Sequence, residues 1–173
     1  MEFTQAKKDK EIIYGTTKAR SLDDLVAESN IIAHVKILKL VDVFEDEGEQ
    51  ISKFQAKVKK YYKNNTDNND AEEIYLYQLG SPDVDVVDNP LLEENKSYIL
   101  FLKERDGGSK YGKVLIMTGE GYGRYNVNGT NVIPQLVHLN ESNEESNLSP
   151  VPLEDFEKKL DKKIKTNLDS LNP

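Results

Sequence analysis

Two histidines, many carboxylates and no cysteine set the chemical repertoire of this chain. Without cysteine there is no disulfide, no thiolate metal site and no cysteine nucleophile. His34 and His138 stand far apart, and neither belongs to a ligand spacing such as HExxH. Asp83, Asp85 and Asp88 crowd one stretch, SPDVDVVDNP, and Asp67-Asn68-Asn69-Asp70 forms another oxygen-rich run. Oxygen clusters hold hard cations, but neither run has the spacing of an EF-hand loop or the glycine its sharp turn needs. Both read as solvated loops. Thr118-Gly119-Glu120-Gly121-Tyr122-Gly123-Arg124 has glycines in the manner of a phosphate-binding turn. It runs into a strand, however, and so lacks the helix N-terminus that such a turn relies on. These glycines read instead as room for a bulge or a tight bend. No GxSxG elbow occurs, and no serine has a visible histidine partner. The expectation is a protein that is not an enzyme and holds no cofactor or metal. A metal-dependent hydrolase using Asp83, Asp85, Asp88 and His34 is the alternative.

The aromatic residues point elsewhere. Nine tyrosines stand against five phenylalanines. Tyr61, Tyr62, Tyr75 and Tyr77 fall on two strands expected to be neighbours, and alternation puts Tyr75 and Tyr77 on one face. Tyrosine joins apolar area to a polar tip and is favoured at interfaces. These four residues are the candidate protein-binding face. Ordinary cross-strand packing of half-exposed aromatics is the competing account.

The elements that would position these groups are readable from hydrophobic period. Tyr98-Ile99-Leu100-Phe101-Leu102 is the most apolar run, short and rich in β-formers, so a strand buried on both faces is expected. Arg105 to Ser109 reads as a flexible turn, and strands follow over Tyr111–Thr118 and Gly123–Val127. Asn128-Gly129 is a short hairpin signal. Asn131–Leu139 adds one more strand, kept at an edge by Pro134. Upstream, SLDDLVAES is a short helix in which Ser21 and Asp24 resemble a capping box, with Leu22, Leu25 and Val26 facing inward. Ile31–Phe44 is a long strand in which His34 faces outward; its alternation slips after Leu38, which calls for a bulge or bend. Ile51–Tyr62 returns as its hairpin partner, Glu73–Leu79 is the next strand, and Gly80–Pro90 reads as an irregular loop. Ile12-Ile13-Tyr14 reads as a short edge strand or a surface contact. Leu153, Phe156, Leu160, Ile164 and Leu168 recur every three or four residues, one narrow apolar stripe on a terminal helix. That helix either docks on the sheet or stands off as a partner-binding element.

The architecture expected is mainly β. An OB-like antiparallel β-barrel of about five or six strands carries a short N-terminal helix and a C-terminal amphipathic helix. Residues 1–20 form a flexible polar segment, 21–139 the barrel domain, 140–149 a linker and 150–173 the helix. Met1-Glu2-Phe3 reads as a vector-encoded start joined to a trimmed chain. A signal or lipid-anchor segment upstream is then expected, with Thr4–Lys10 as a polar spacer.

The 173 residues are enough for one real core. The net charge of −8 argues against a nucleic-acid partner, because cations must face the phosphates. No apolar run approaches the roughly 20 residues that cross a bilayer.

SLDDLVAESNIIAHVKILKL resembles the opening of extracytoplasmic bacterial domains similar to the tissue inhibitor of metalloproteinases. In that pattern a short helix ends in a Ser-Asp-like pair, here Ser29-Asn30, and a strand follows with a small residue and a valine, here Ala33 and Val35. The family's second strand ends in Lys-Gly; here Lys63 is followed by Asn64. Glu73–Gly80 and Leu92–Leu102 follow the family's order of strand, loop, acidic turn and apolar strand. The resemblance covers about Ser21 to Asn128 and implies an OB-like barrel. It also implies an extracytoplasmic binding or interaction domain of a putative lipoprotein or secreted protein, engaging a protein or a cell-envelope component. In the animal inhibitors an amino-terminal cysteine chelates the protease zinc; this chain has no cysteine, so that mechanism does not carry over.

Overall fold

The computed structural model describes residues 11–13, 18–68, 70–136 and 149–171. His138, Tyr14, the first ten residues and the linker up to 148 lie outside the described residues.

The architecture is mainly β, as the hydrophobic pattern implied. β1 (Glu11–Ile13) and α1 (Leu22–Glu28) precede the long hairpin of β2 (Ile31–Asp46) and β3 (Glu49–Asn64). β4 (Glu73–Leu79), β5 (Val84–Val86) and β6 (Ser97–Asp106) follow, then a one-turn α2 (Gly108–Tyr111), β7 (Lys113–Met117) and a 3-10 turn at Glu120–Gly123. β8 (Arg124–Asn128), β9 (Asn131–Pro134), β10 (Val151–Pro152) and α3 (Leu153–Leu171) complete the described chain.

β2 pairs antiparallel with β3 on one side and β6 on the other, β3 pairs with β4, and β6 with β7. A single parallel pair, Tyr77 with Ile116, joins β4 to β7 and closes the ring β2-β3-β4-β7-β6. This is the circuit of a partly open five-stranded OB-like barrel. The other edge of β6 is shared: β8 holds its first half and β7 its second. β8, β9 and β10 therefore extend the sheet outside the ring.

Two cores lie on either side of β2 and β6. Ala33, Val35, Ile37, Phe54, Leu76, Tyr98, Leu100 and Leu102 fill the barrel. Ile32, Ile99, Phe101, Tyr125 and Val132 face outward and are covered by Leu25 of α1 and by Phe156, Leu160 and Ile164 of α3. Tyr98–Leu102 is accordingly buried on both faces. The bulges foreseen after Leu38 are present: the β2–β3 register shifts between Ile37 and Lys39 and again between Leu40 and Asp42. Extra residues on one strand sharpen the twist, which lets so long a hairpin wrap a small barrel.

α1 begins with a complete capping box. The Ser21 hydroxyl accepts from the Asp24 amide at 3.0 Å, and the Asp24 carboxylate accepts from the Ser21 amide at 3.1 Å. The bond from the Ser21 amide first, helped by the Ser21 hydroxyl and the Arg20 charge and opposed by burial, holds the Asp24 carboxyl below its usual range. α3 docks rather than standing off. Its apolar stripe is buried from Phe156 to Ile164, while Leu168 is left exposed. Lys163 reaches Asp23 of α1 at 2.9 Å, and Glu157 accepts from Tyr62 Oη at 2.5 Å and Lys60 Nζ at 3.2 Å on β3.

Three local readings are corrected. The loop 80–90 contains β5, which pairs in parallel with β1. Its Val84-Asp85-Val86 alternation is real but too short to stand out. The turn at 105–109 holds the start of α2. The β8–β9 hairpin turns on Gly129-Thr130, since Asn128 pairs with Asn131. Gly129 has φ +62°, at the position where a type II′ turn asks for glycine.

Candidate functional site

The four tyrosines do not gather on one face. Tyr61 turns toward the barrel core and donates its hydroxyl to the Ala71 carbonyl at 2.7 Å. Tyr62 turns the other way, under α3, where Glu157 takes its hydroxyl. Burial, followed by that carboxylate, pushes the Tyr62 phenol far above its usual range. β4 pairs with β3 only as far as Lys57–Glu73, so neither residue has a β4 neighbour. Adjacent positions on a strand point to opposite faces, which is why consecutive tyrosines separate.

Tyr75 and Tyr77 do share the outer face of β4, as alternation requires. Tyr75 keeps 47% of its surface exposed. They sit directly opposite Gln55 and Lys53 of β3, and the Lys53 ammonium lies 4.9 Å and 5.6 Å from the two ring centroids. The Tyr77 ring meets Phe44 edge-on at 5.8 Å, and Phe44 stacks on Tyr111 at 5.0 Å. The result is an aromatic strip running from β4 to the end of β2 and on to α2.

A second feature lies where β6 begins and β8 ends. A cleft of about 940 Å³ opens there, walled by Tyr98, Arg124, Leu91, Val127, Ile133 and Lys96, among others. Arg124 is only 3% exposed. Its Nη1 donates to Asn89 Oδ1 at 3.3 Å and to the Pro90 carbonyl, and its guanidinium carbon stands 5.1 Å from the Tyr98 ring centroid. Its Nε has no hydrogen-bond partner among the described residues. Burial lowers its pKa, partly offset by Tyr98 and Glu93, yet guanidinium stays charged in proteins. Glu93, which lines the cleft with Asp85, is already engaged by Lys96 at 2.6 Å.

The segment 89–92, which supplies Pro90 and Leu91 to the cleft, is stitched rather than loose. Gln78, buried inside β4, donates to the Asn89 and Pro90 carbonyls and accepts from the Leu92 amide at 3.0 Å. Gln78 and Arg124 thus pin the segment 89–92 from two strands. Gly121 lets it close in further: a Cβ there would run into the Asp88 carbonyl.

The carboxylates proposed for metal chemistry stay apart. Asp83, Asp85 and Asp88 are exposed, and among the described residues no three His, Asp or Glu side chains gather where a metal ion could sit. His34 faces outward from β2, half-buried, with Nε2 unpartnered among the described residues. Its neighbour Ile99 belongs to the outer core, whereas Leu100, opposite Arg124, belongs to the inner one. His34 and Arg124 therefore reach the cleft from opposite faces of the sheet.

Arg124 was not singled out in the sequence beyond ending a glycine-rich run. Its signal was its place beside Tyr125, two residues before Asn126, but only the Leu100–Arg124 register turns it inward. No protein-family model matches this chain, and comparison with curated proteins finds no relative.

Proposed function

We propose that this chain is a non-enzymatic binding domain acting outside the cytoplasm, as the soluble part of a bacterial lipoprotein or secreted protein. It engages a protein of the cell envelope through the outer face of β3 and β4. The observation that carries the reading is the outward-facing pair of exposed Tyr75 and half-buried Tyr77, bridged by Lys53 and continued by the Phe44–Tyr111 stack. Large, stiff aromatic rings lose little conformational freedom on binding and anchor most strong interfaces. The Lys53 ammonium adds a positive edge, so the partner surface suited to this face pairs an apolar side chain with a carboxylate. The compartment rests on the metalloproteinase-inhibitor-like pattern over residues 21–128, whose implied barrel agrees with the ring found here. A barrel of this kind hosts many functions, so the surface and not the fold carries the argument. Among the described residues no cluster of carboxylates and histidine supports the hydrolase alternative.

Two measurements test it. Fractionation of the source cells with an antibody against the chain should place it in the envelope or medium. The labelled protein should bind purified envelope saturably, and Tyr75→Ala with Tyr77→Ala should weaken that binding by roughly 30-fold or more, as expected for hot-spot tyrosines. A cytoplasmic protein, or a double variant that binds as well as the parent, overturns the proposal.

A further inference from the structure

We infer that the partner of the Tyr75–Tyr77 face presents an acidic segment, an extended stretch of protein carrying Asp or Glu side chains, which lies on a field of lysines spread over β2 and β3. This rests on the binding face proposed above and names the chemistry of what that face takes.

The field follows from alternation. Phe54, Ala56 and Val58 of β3, with Val35 and Ile37 of β2, belong to the barrel core. The residues between them therefore point outward. On β3 these are Lys53, Gln55, Lys57 and Lys59. On β2, Lys36 stands directly opposite Lys57, and Lys39 opposite Gln55. On the other side of β3, Glu73, Tyr75 and Tyr77 stand opposite Lys57, Gln55 and Lys53. Lysines and tyrosines thus share one continuous surface, in a chain whose net charge is −8.

These lysines lack countercharge. Lys60 has Glu157, but among the described residues Lys36, Lys39, Lys53, Lys57 and Lys59 form no ion pair. Lys59 donates only to the Ser97 hydroxyl, at 3.1 Å. The nearby carboxylates are turned elsewhere. Glu73 takes a hydrogen bond from Gln55 Nε2 at 2.6 Å, and Glu94 takes the Leu40 amide at 3.1 Å. Asp42 is opposite Lys53, whose ammonium lies instead over the tyrosine rings. Like charges placed directly across a ladder, as Lys36 and Lys57 are, cost a sheet stability. A carboxylate laid between them replaces one repulsion by two attractions.

The margins set the direction and class of the partner. The hairpin tip beyond Phe44 and Ile51 carries Glu45, Asp46, Glu47 and Glu49. An acidic segment is repelled there, so its carboxylates lie toward Lys36 and Lys57 and its apolar side chain toward Tyr75 and Tyr77. Single-stranded nucleic acid fits less well. It uses open aromatic platforms and favours arginine, whereas Lys53 already lies over both rings and no outward position of the field is arginine. Asp42 and Glu73 also interrupt the field, which separate carboxylates can avoid and a continuous phosphate chain cannot.

The probe is a fluorescein-labelled, glutamate-rich peptide carrying one leucine, read by fluorescence anisotropy, with oligothymidylate and phosphatidylglycerol vesicles as comparisons. The peptide should bind saturably at low salt and more weakly as added salt screens the charges. Lys36→Gln with Lys57→Gln should weaken it by about fivefold or more. Lys158→Gln with Lys165→Gln removes the same charge from exposed positions of α3 and should change binding by less than about twofold. Where the Lys36, Lys57 variant does not fold, amide shifts of the parent decide: the peptide should move Lys36, Lys57 and Tyr75 and leave α3 in place. No binding at millimolar peptide, an equal loss in the two double variants, or tighter binding of oligothymidylate or of the vesicles overturns the inference. If Lys36→Gln with Lys57→Gln leaves envelope binding intact while Tyr75→Ala with Tyr77→Ala abolishes it, the binding face stands and the acidic partner falls, so the two readings fail separately.

Discussion

Truncating Phe156 asks whether α3 is part of the folding unit. The ring is 5% exposed, and its centroid lies 4.4 Å from that of Tyr125, which in turn meets Phe101 at 5.9 Å. A phenylalanine covers roughly 150–250 Å², worth about 4–6 kcal/mol at 25 cal/mol per Å². Alanine keeps the Cβ, and α3 sits on one face of the sheet, so the helix can settle toward the gap. The loss should therefore fall at the lower end of the range for such changes, about 3 kcal/mol. For a chain of this size that lowers the melting temperature by about 6–12 °C. The chain has no tryptophan, so urea unfolding is best followed by far-ultraviolet circular dichroism. Leu168→Ala is the matched control: the same helix and stripe, but 48% exposed, with an expected change within about 0.5 kcal/mol. If Phe156→Ala shifts the midpoint no more than Leu168→Ala does, α3 contributes nothing to the core and the packing argument fails.

Two further changes probe other parts of the structure. Burial first, and the Lys59 charge second, hold the His34 imidazole below its ordinary value of 6.5, with Lys60 acting in the same sense and Glu157 against it. The fold thus favours neutral imidazole, so stability is full above about pH 6.5 and drains as the pH falls through the window beneath it. His34→Gln should flatten the stability–pH curve between about pH 7 and pH 5 in urea melts, leaving a later, more acidic loss from Asp24. Gly123→Ala should destabilise by about 1–3 kcal/mol in the same melts, because its Cβ would meet the backbone of Thr118, which cannot swing aside as a side chain could. An unchanged midpoint would mean that the 3-10 turn is not the tight bend described.

Much of this fold was legible in local pattern. The capping box at Ser21, the slipped alternation after Leu38 and the shared face of Tyr75 and Tyr77 each depend on residues a few positions apart. Helical and strand periods report such relations directly. The stripe Phe156, Leu160, Ile164 was equally plain, though not what it would rest on. Period also placed Tyr98–Leu102 between two cores without identifying the second as the underside of α1 and α3.

The remainder depended on partners far away in the chain. Ring closure rests on one parallel pair, Tyr77 with Ile116, and no spacing along the chain encodes it. Tyr61 and Tyr62 were removed from the candidate face by Ala71 and Glu157, one on each side of the sheet. Arg124 became a buried cation only once Leu100 set its register and the segment 89–90 closed over Nη1. Chain-local sterics and hydrophobic period choose the elements and their faces. The solvent exposure and charge partner of any one side chain are set by which strands meet, and that is decided by the whole fold.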